Sequence, residues 1–164
     1  MSRESHEIAL QAWMQTTLGV TCIYSDQDGP RPPKPYATLL VLGGDAIGQT
    51  AGIDNTFDLG SDSIDVTYTK WRNGEVSVQC FGDSHHALAR SLENSLDRES
   101  VQDTNADAGL VVAFVSTAAR RLSTTSNNVT EDRTRVEFAF RYADIQTERI
   151  NTYIATLEAT GNFE

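Results

Sequence analysis

Apolar and polar positions along the chain fall into two periods. Ser2 to Thr17 repeats at three and four residues, with Ile8, Ala9, Ala12, Trp13 and Thr16 on one face. This predicts a helix that Ser2 or Ser5 caps and Gly19 stops. Val20 to Tyr24 predicts a short strand, and Tyr36 to Leu42 a buried one that Gly43-Gly44 breaks or bends. Ile64 to Trp71 and Glu75 to Phe81 alternate cleanly, and Arg72-Asn73-Gly74 between them predicts a tight hairpin. Ser84 to Leu96 predicts a second helix, with Asp83 as cap and Leu88, Leu92 and Leu96 as its stripe. Asp97 to Ala108 reads as a short helix and loop, and Leu110 to Val115 as a central strand. Ala118 to Asn128 is expected to be a polar connection. Arg133 to Ala143 is the clearest strand, with Val136, Phe138, Phe140 and Tyr142 pointing one way. A turn over Asp144 to Arg149 and a returning strand over Ile150 to Leu157 are expected to follow it.

Strands joined by hairpins, with helices between, predict an α+β fold. The expectation is a mostly antiparallel sheet with long hairpins and helices packed on one face. One domain is expected over 1–164, with a proline-rich arm over 24–36, an acidic loop over 45–63 and a loose tail over 158–164. The arm holds four prolines between Ser25 and Pro35, so it is neither a helix nor a central strand.

Charge narrows the function. The net charge of −10 argues against tight binding to nucleic acid or an anionic membrane, since no counterions would be released. Arg120, Arg121, Arg133, Arg135 and Arg141 are interspersed with acids and form no aromatic-interleaved basic surface. No apolar run approaches the ~18 residues that span a bilayer. With no basic-then-apolar start, the protein is expected to fold in a cytoplasm. Cys22 and Cys80 lie in expected strands and read as reduced, buried thiols.

Candidate chemistry is thin. Asp83, Ser84, His85 and His86 hold the residue types of a catalytic triad, but neighbours on a helix start fan outward instead of converging. Cys80, His85, His86 and His6 lack the paired spacing of zinc sites. Asp54 to Asp65 fails the calcium-loop pattern, because Leu59 stands at its sixth position. Gly43, Gly44 and Gly48 lack the lysine of a phosphate loop. Asn128-Val129-Thr130 fits a glycosylation sequon that carries no weight without a secretory signal. The expectation is therefore no catalytic residue, no metal and no cofactor. Long ribbons reaching beyond a small core leave edges that other chains can cover, which favours an oligomeric building block.

Gln27-x-Gly29-Pro30-Arg31-Pro32-Pro33-Lys34-Pro35-Tyr36-Ala37-Thr38-Leu39 follows a Trp-bearing helix and a short strand. Gly48-Gln49, then Phe81-Gly82-Asp83 leading into a helix with Ala87-Leu88, and last Phe138-x-Phe140-x-Tyr142-Ala143 complete the series. In this order the chain resembles the phage neck terminator, or tail terminator, family of tailed bacteriophages. The resemblance covers nearly the whole chain, and Pro30 to Leu39 is its most specific piece. It implies a structural virion protein, made in the host bacterial cytoplasm and placed at the neck. There it forms a ring, expected to be a homohexamer, that ends the tail tube and joins it to the head-side connector or stopper. It implies no catalytic residues.

Two sets of residues are singled out on that basis. Pro30, Arg31, Pro32, Pro33, Tyr36, Arg72 and Asn73 are expected at interfaces. Asp54, Asp58, Asp62 and Asp65 are expected to face a lumen through which DNA passes without specific binding. The alternatives are another neck component, such as a stopper, adaptor or head-completion protein, and a small enzymatic or metal-binding module.

Overall fold

A computed structural model describes residues 4–43, 52–57, 63–126 and 129–151. Side chains of 52–57, 63–65, 124–126, 129–130 and 150–151 are not part of that description. Among the described residues three helices and one six-stranded sheet run in the order α1 (Ser5–Leu18), β1 (Thr21–Tyr24), β2 (Tyr36–Leu42), β3 (Gly52–Phe57), β4 (Ser63–Phe81), α2 (His85–Ser95), α3 (Glu99–Asp107), β5 (Leu110–Ser126) and β6 (Val129–Asn151). The sheet order is β1-β2-β4-β6-β5, and β3 also pairs with β4. Among the described strands only β1 and β2 pair in parallel. The predicted α+β class and antiparallel sheet with helices on one face are what the chain forms.

The core lies between the helices and one face of the sheet. Cys22, Tyr24, Ala37, Leu39, Val76, Val78, Cys80, Leu110, Val112, Val136, Phe138 and Phe140 supply the sheet side. Leu10, Trp13, Met14, Leu18, Ala89 and Leu92 supply the helices. The Trp13 indole meets Phe138 edge-on at 5.4 Å between centroids and donates to Ser95 Oγ at 3.2 Å. Gly19 closes α1 at φ 64, a left-handed conformation that costs glycine little, and its N–H donates to the Gln15 carbonyl.

Several sequence expectations are corrected. The face of α1 that seals the core is His6, Leu10, Trp13, Met14 and Leu18, whereas Ile8 is 54% exposed. His6 joins that stripe because its ring stacks on Tyr142 at 3.9 Å. The α1 cap is Glu4, whose N–H donates to Glu7 Oε2, in place of either serine. Ser84, not Asp83, stands at the N-cap of α2, and its side chain makes no capping bond.

The hairpin expected at Arg72-Asn73-Gly74 does not form. The two strands around it are one 19-residue strand, β4, paired along its whole length with β6. The reason sits at Gly74, which pairs with Phe140; a Cβ there would lie 2.5 Å from the tip of that buried ring. Glycine here provides room for an aromatic ring, not a turn.

The turn expected over Asp144 to Arg149 is likewise strand, since β6 runs to Asn151. The expected return over Ile150 to Leu157 therefore does not begin at Ile150, and 152–157 lie outside the described residues. The polar connection over Ala118 to Asn128 is mostly β5, which reaches Ser126. Three register shifts in β5 break its two-residue alternation, so its sequence does not look like a strand. Within the expected acidic loop, 52–57 form β3, because the edge of β4 offers unpaired backbone that overrides polar composition.

Candidate assembly surfaces

Strand alternation divides β4 into two rows. Val76, Val78 and Cys80 face the helices; Trp71, Asn73, Glu75, Ser77 and Gln79 face away. Register carries the second row across the sheet. Leu42 pairs with Glu75, which pairs with Ala139, which pairs with Phe114; Leu40 pairs with Ser77; Arg141 pairs with Asn73 and Val111; Ile145 pairs with Thr69. On this helix-free face Leu40, Leu42, Trp71, Val111, Phe114 and Ile145 are all exposed, Phe114 and Ile145 by about 60%. Sequence reading missed this set, since an apolar run such as Tyr36 to Leu42 looks buried on both faces. The usable signal was Trp71, the large apolar residue on the otherwise polar row.

Between those apolar residues lies a polar lattice. Arg135 Nε donates to Ser77 Oγ at 2.9 Å and its guanidinium pairs with Glu137. Arg141 Nε donates to Asn73 Oδ1 at 3.0 Å, and Ser116 Oγ donates to Glu75 Oε1 at 2.6 Å. The Thr117 hydroxyl and, after it, Arg135 hold the Glu137 carboxyl below its ordinary range. Paired charges and hydroxyls thus stand between the exposed apolar side chains of this face.

The proline arm folds back onto one end of this face. Tyr36 and Phe81 stack at 4.7 Å and are both buried, and the Arg31 guanidinium lies 5.8 Å over the Phe81 ring. Glu131 on β6 clamps the arm, receiving Lys34 Nζ at 3.1 Å and Arg31 Nη1 at 3.2 Å. Lys34 and then Arg31 hold the Glu131 carboxyl below its usual range. Gly82, at φ 107, lets the chain turn close against Pro35. Pro30, Arg31 and Pro33 are exposed, Pro32 is half-buried, and Tyr36 fills its own fold.

The remaining predicted interface pair sits elsewhere. Arg72 lies on the helix side, with Nε donating to Asp144 Oδ2 at 2.9 Å, while Asn73 lies on the helix-free face. Eight residues of β4, roughly 27 Å, separate Asn73 from the arm at Phe81. The seven residues are thus not brought together into one patch. Of the acidic set, Asp54 pairs with Thr67, and Asp65 with Thr56 and Arg149. Asp58 and Asp62 lie outside the described residues. Beyond Tyr142, β6 has β4 on one side and none of the described strands on the other.

His85 Nδ1 hydrogen-bonds Thr134 Oγ1 at 2.6 Å, and Asp83 and Ser84 are exposed. Cys22 and Cys80 are free and buried, and burial pushes their thiols up to about 11 and about 12. Among the described residues no group of three or more His, Cys, Asp or Glu could hold a metal ion, and no helix is long and apolar enough to cross a membrane.

No curated protein matches the chain. One solved protein chain is similar over 84% of this chain and 90% of its own, at 16% identity and a TM-score of 0.33, too weak a likeness to carry an argument. The family model described as phage neck terminator protein matches residues 4–164. With its arm, long ribbon and helix-free face, this chain belongs to the phage neck terminator family.

Proposed function

We propose that copies of this chain assemble into a closed ring, a homohexamer, at the phage neck. The ring ends the tail tube and presents its other face to the head-side connector. The whole-length family match carries this reading. The helix-free face supports it, because exposed Leu40, Leu42, Trp71, Val111 and Phe114 amid paired charges suit contact with neighbouring subunits or tube protein. Interface roles for Pro30, Arg31, Pro32, Pro33, Arg72 and Asn73 belong to this proposal; Tyr36 acts by seating the arm. In it Asp54, Asp58, Asp62 and Asp65 face the lumen.

Purified protein mixed with tube protein tests the proposal by mass photometry and negative-stain imaging. Expected are six-membered rings seated on tube ends, and tubes of limited length. Phe114→Asp should abolish ring formation while leaving the circular dichroism spectrum unchanged. A chain that stays monomeric in the presence of tubes, or that seats only on the head-side adaptor, would overturn it.

A further inference from the structure

Two surfaces of this chain carry charges that repel their own neighbours. The first is the arm end of the helix-free face. Arg120 pairs directly opposite Arg135, so both side chains stand on one side of the sheet. Arg133 lies two residues from Arg135 along β6 and pairs with Phe81, over whose ring Arg31 sits at 5.8 Å. Four guanidiniums thus share this end of the face. The acids beside them are already engaged: Glu131 receives Lys34 and Arg31, and Glu137 is held by Thr117 and Arg135. Arg120 and Arg133 make no ion pair among the described residues. Like charges directly across a sheet destabilise it.

The second surface is on α3. Glu99, Asp103 and Asp107 recur every four residues, are all exposed and make no ion pair among the described residues. Each meets a like charge one turn away, which weakens a helix. Asp107 also stands in the last turn, where no base accompanies it and the helix dipole disfavours an acid. Val101 and buried Asn105 turn inward, so the acidic stripe looks outward. The sheet separates the two surfaces, because α3 packs on its helix side and the arginines lie on the other. They cannot meet within one copy. A second copy brings opposite charge to each, and the self-repulsion of both is relieved. A contact between two unlike surfaces repeats head to tail, the kind that closes a ring. Exposed Leu40, opposite the Ser77 that Arg135 bonds, adds apolar area beside the arginines.

We propose that the arginine end of the helix-free face binds the acidic stripe of α3 on a second copy of this chain. Arg120 and Arg133 supply the donors that no carboxylate of their own copy takes up. Asp103, at the middle of the stripe, with Glu99 and Asp107 on either side, supplies the acceptors, and guanidinium–carboxylate pairs fix the orientation of the contact. The inference rests on the reading that copies of the chain assemble, and it names the surfaces that meet; it does not depend on there being six.

Charge reversal tests it, read as the self-association constant of the full chain by sedimentation velocity, with and without tube protein. Arg120→Glu and Asp103→Arg change exposed side chains that hold no ion pair among the described residues, so circular dichroism should report an unchanged fold. Each alone should weaken association about tenfold. The chain carrying both should return to within about threefold of wild type, because reversed charges meet reversed charges. Wild-type association should also weaken as salt rises from about 0.05 to 0.5 M. Single variants that associate as tightly as wild type overturn this contact and leave the ring standing. Loss in the single variants with no recovery in the double overturns it too, as does a chain that never self-associates. Loss and recovery in assemblies of some number other than six keep the contact and overturn the hexamer.

Discussion

At the scale of single residues, Gly74 carries a constraint that its place in an Asn-Gly pair disguises. Its missing side chain is the space that the Phe140 ring occupies. Gly74→Val suits a strand by propensity but must displace a fully buried aromatic. We expect a loss of about 3 kcal/mol, read as a lower urea midpoint at unchanged slope. Glu131 acts through charge. Lys34 and Arg31 hold its carboxyl below the ordinary 4.5, so their clamp on the arm is complete above about that pH. It is lost as pH falls through the lower, folded-state value. The ring-shifted NMR signals of Tyr36 and Phe81 should therefore stay constant between about pH 7 and pH 5 and move toward free-arm positions below pH 4.5. Glu131→Gln should show the displaced signals already at neutral pH; an unchanged spectrum would mean that stacking alone seats the arm.

At the scale of elements, the same Asn-Gly pair separates two accounts of β4. A hairpin there would need Asn73 in a left-handed conformation that threonine resists, so Asn73→Thr would be costly. A continuous strand welcomes a β-branched residue, and Asn73 loses only an exposed hydrogen bond from Arg141. We expect a stability change within about 0.5 kcal/mol by urea unfolding. This position also shows how far sequence carries. Val136-x-Phe138-x-Phe140-x-Tyr142 was legible as a strand because one face meets the core and the other meets solvent. Where strands stop was not legible. β4 and β6 continue past the core because each pairs with the other, and a backbone ladder leaves no mark on side-chain pattern. The bulges in β5 erased its alternation, and polar β3 exists only because β4 offers an edge. On α1 the rotation of the buried face was hidden because His6 counts as polar until Tyr142 is there to stack on it. For the assembly surface, the Arg31 and Pro30 to Pro33 segment was visible as a motif, yet its contact with Glu131, 100 residues away in sequence, was not.

At the scale of the whole molecule, charge is the property that a ring multiplies. Six copies at −10 each would carry about −60 formal charges around one axis. The proposed lumen residues Asp54, Asp58, Asp62 and Asp65 would then stand around the path of exiting DNA, and repulsion between carboxylate and phosphate would act over about 8 Å at physiological salt. Because screening governs that range, the effect has a salt signature that a merely solubilising surface lacks. Replacing all four with asparagine should leave ring assembly intact and slow DNA exit from assembled particles at low ionic strength. The difference from wild type should shrink as salt rises and the Debye length falls to about 3 Å at 1 M. DNA release followed by dye fluorescence across a salt series checks this. A quadruple variant that releases DNA at the wild-type rate in low salt would move these carboxylates off the lumen and return them to ordinary surface solubility.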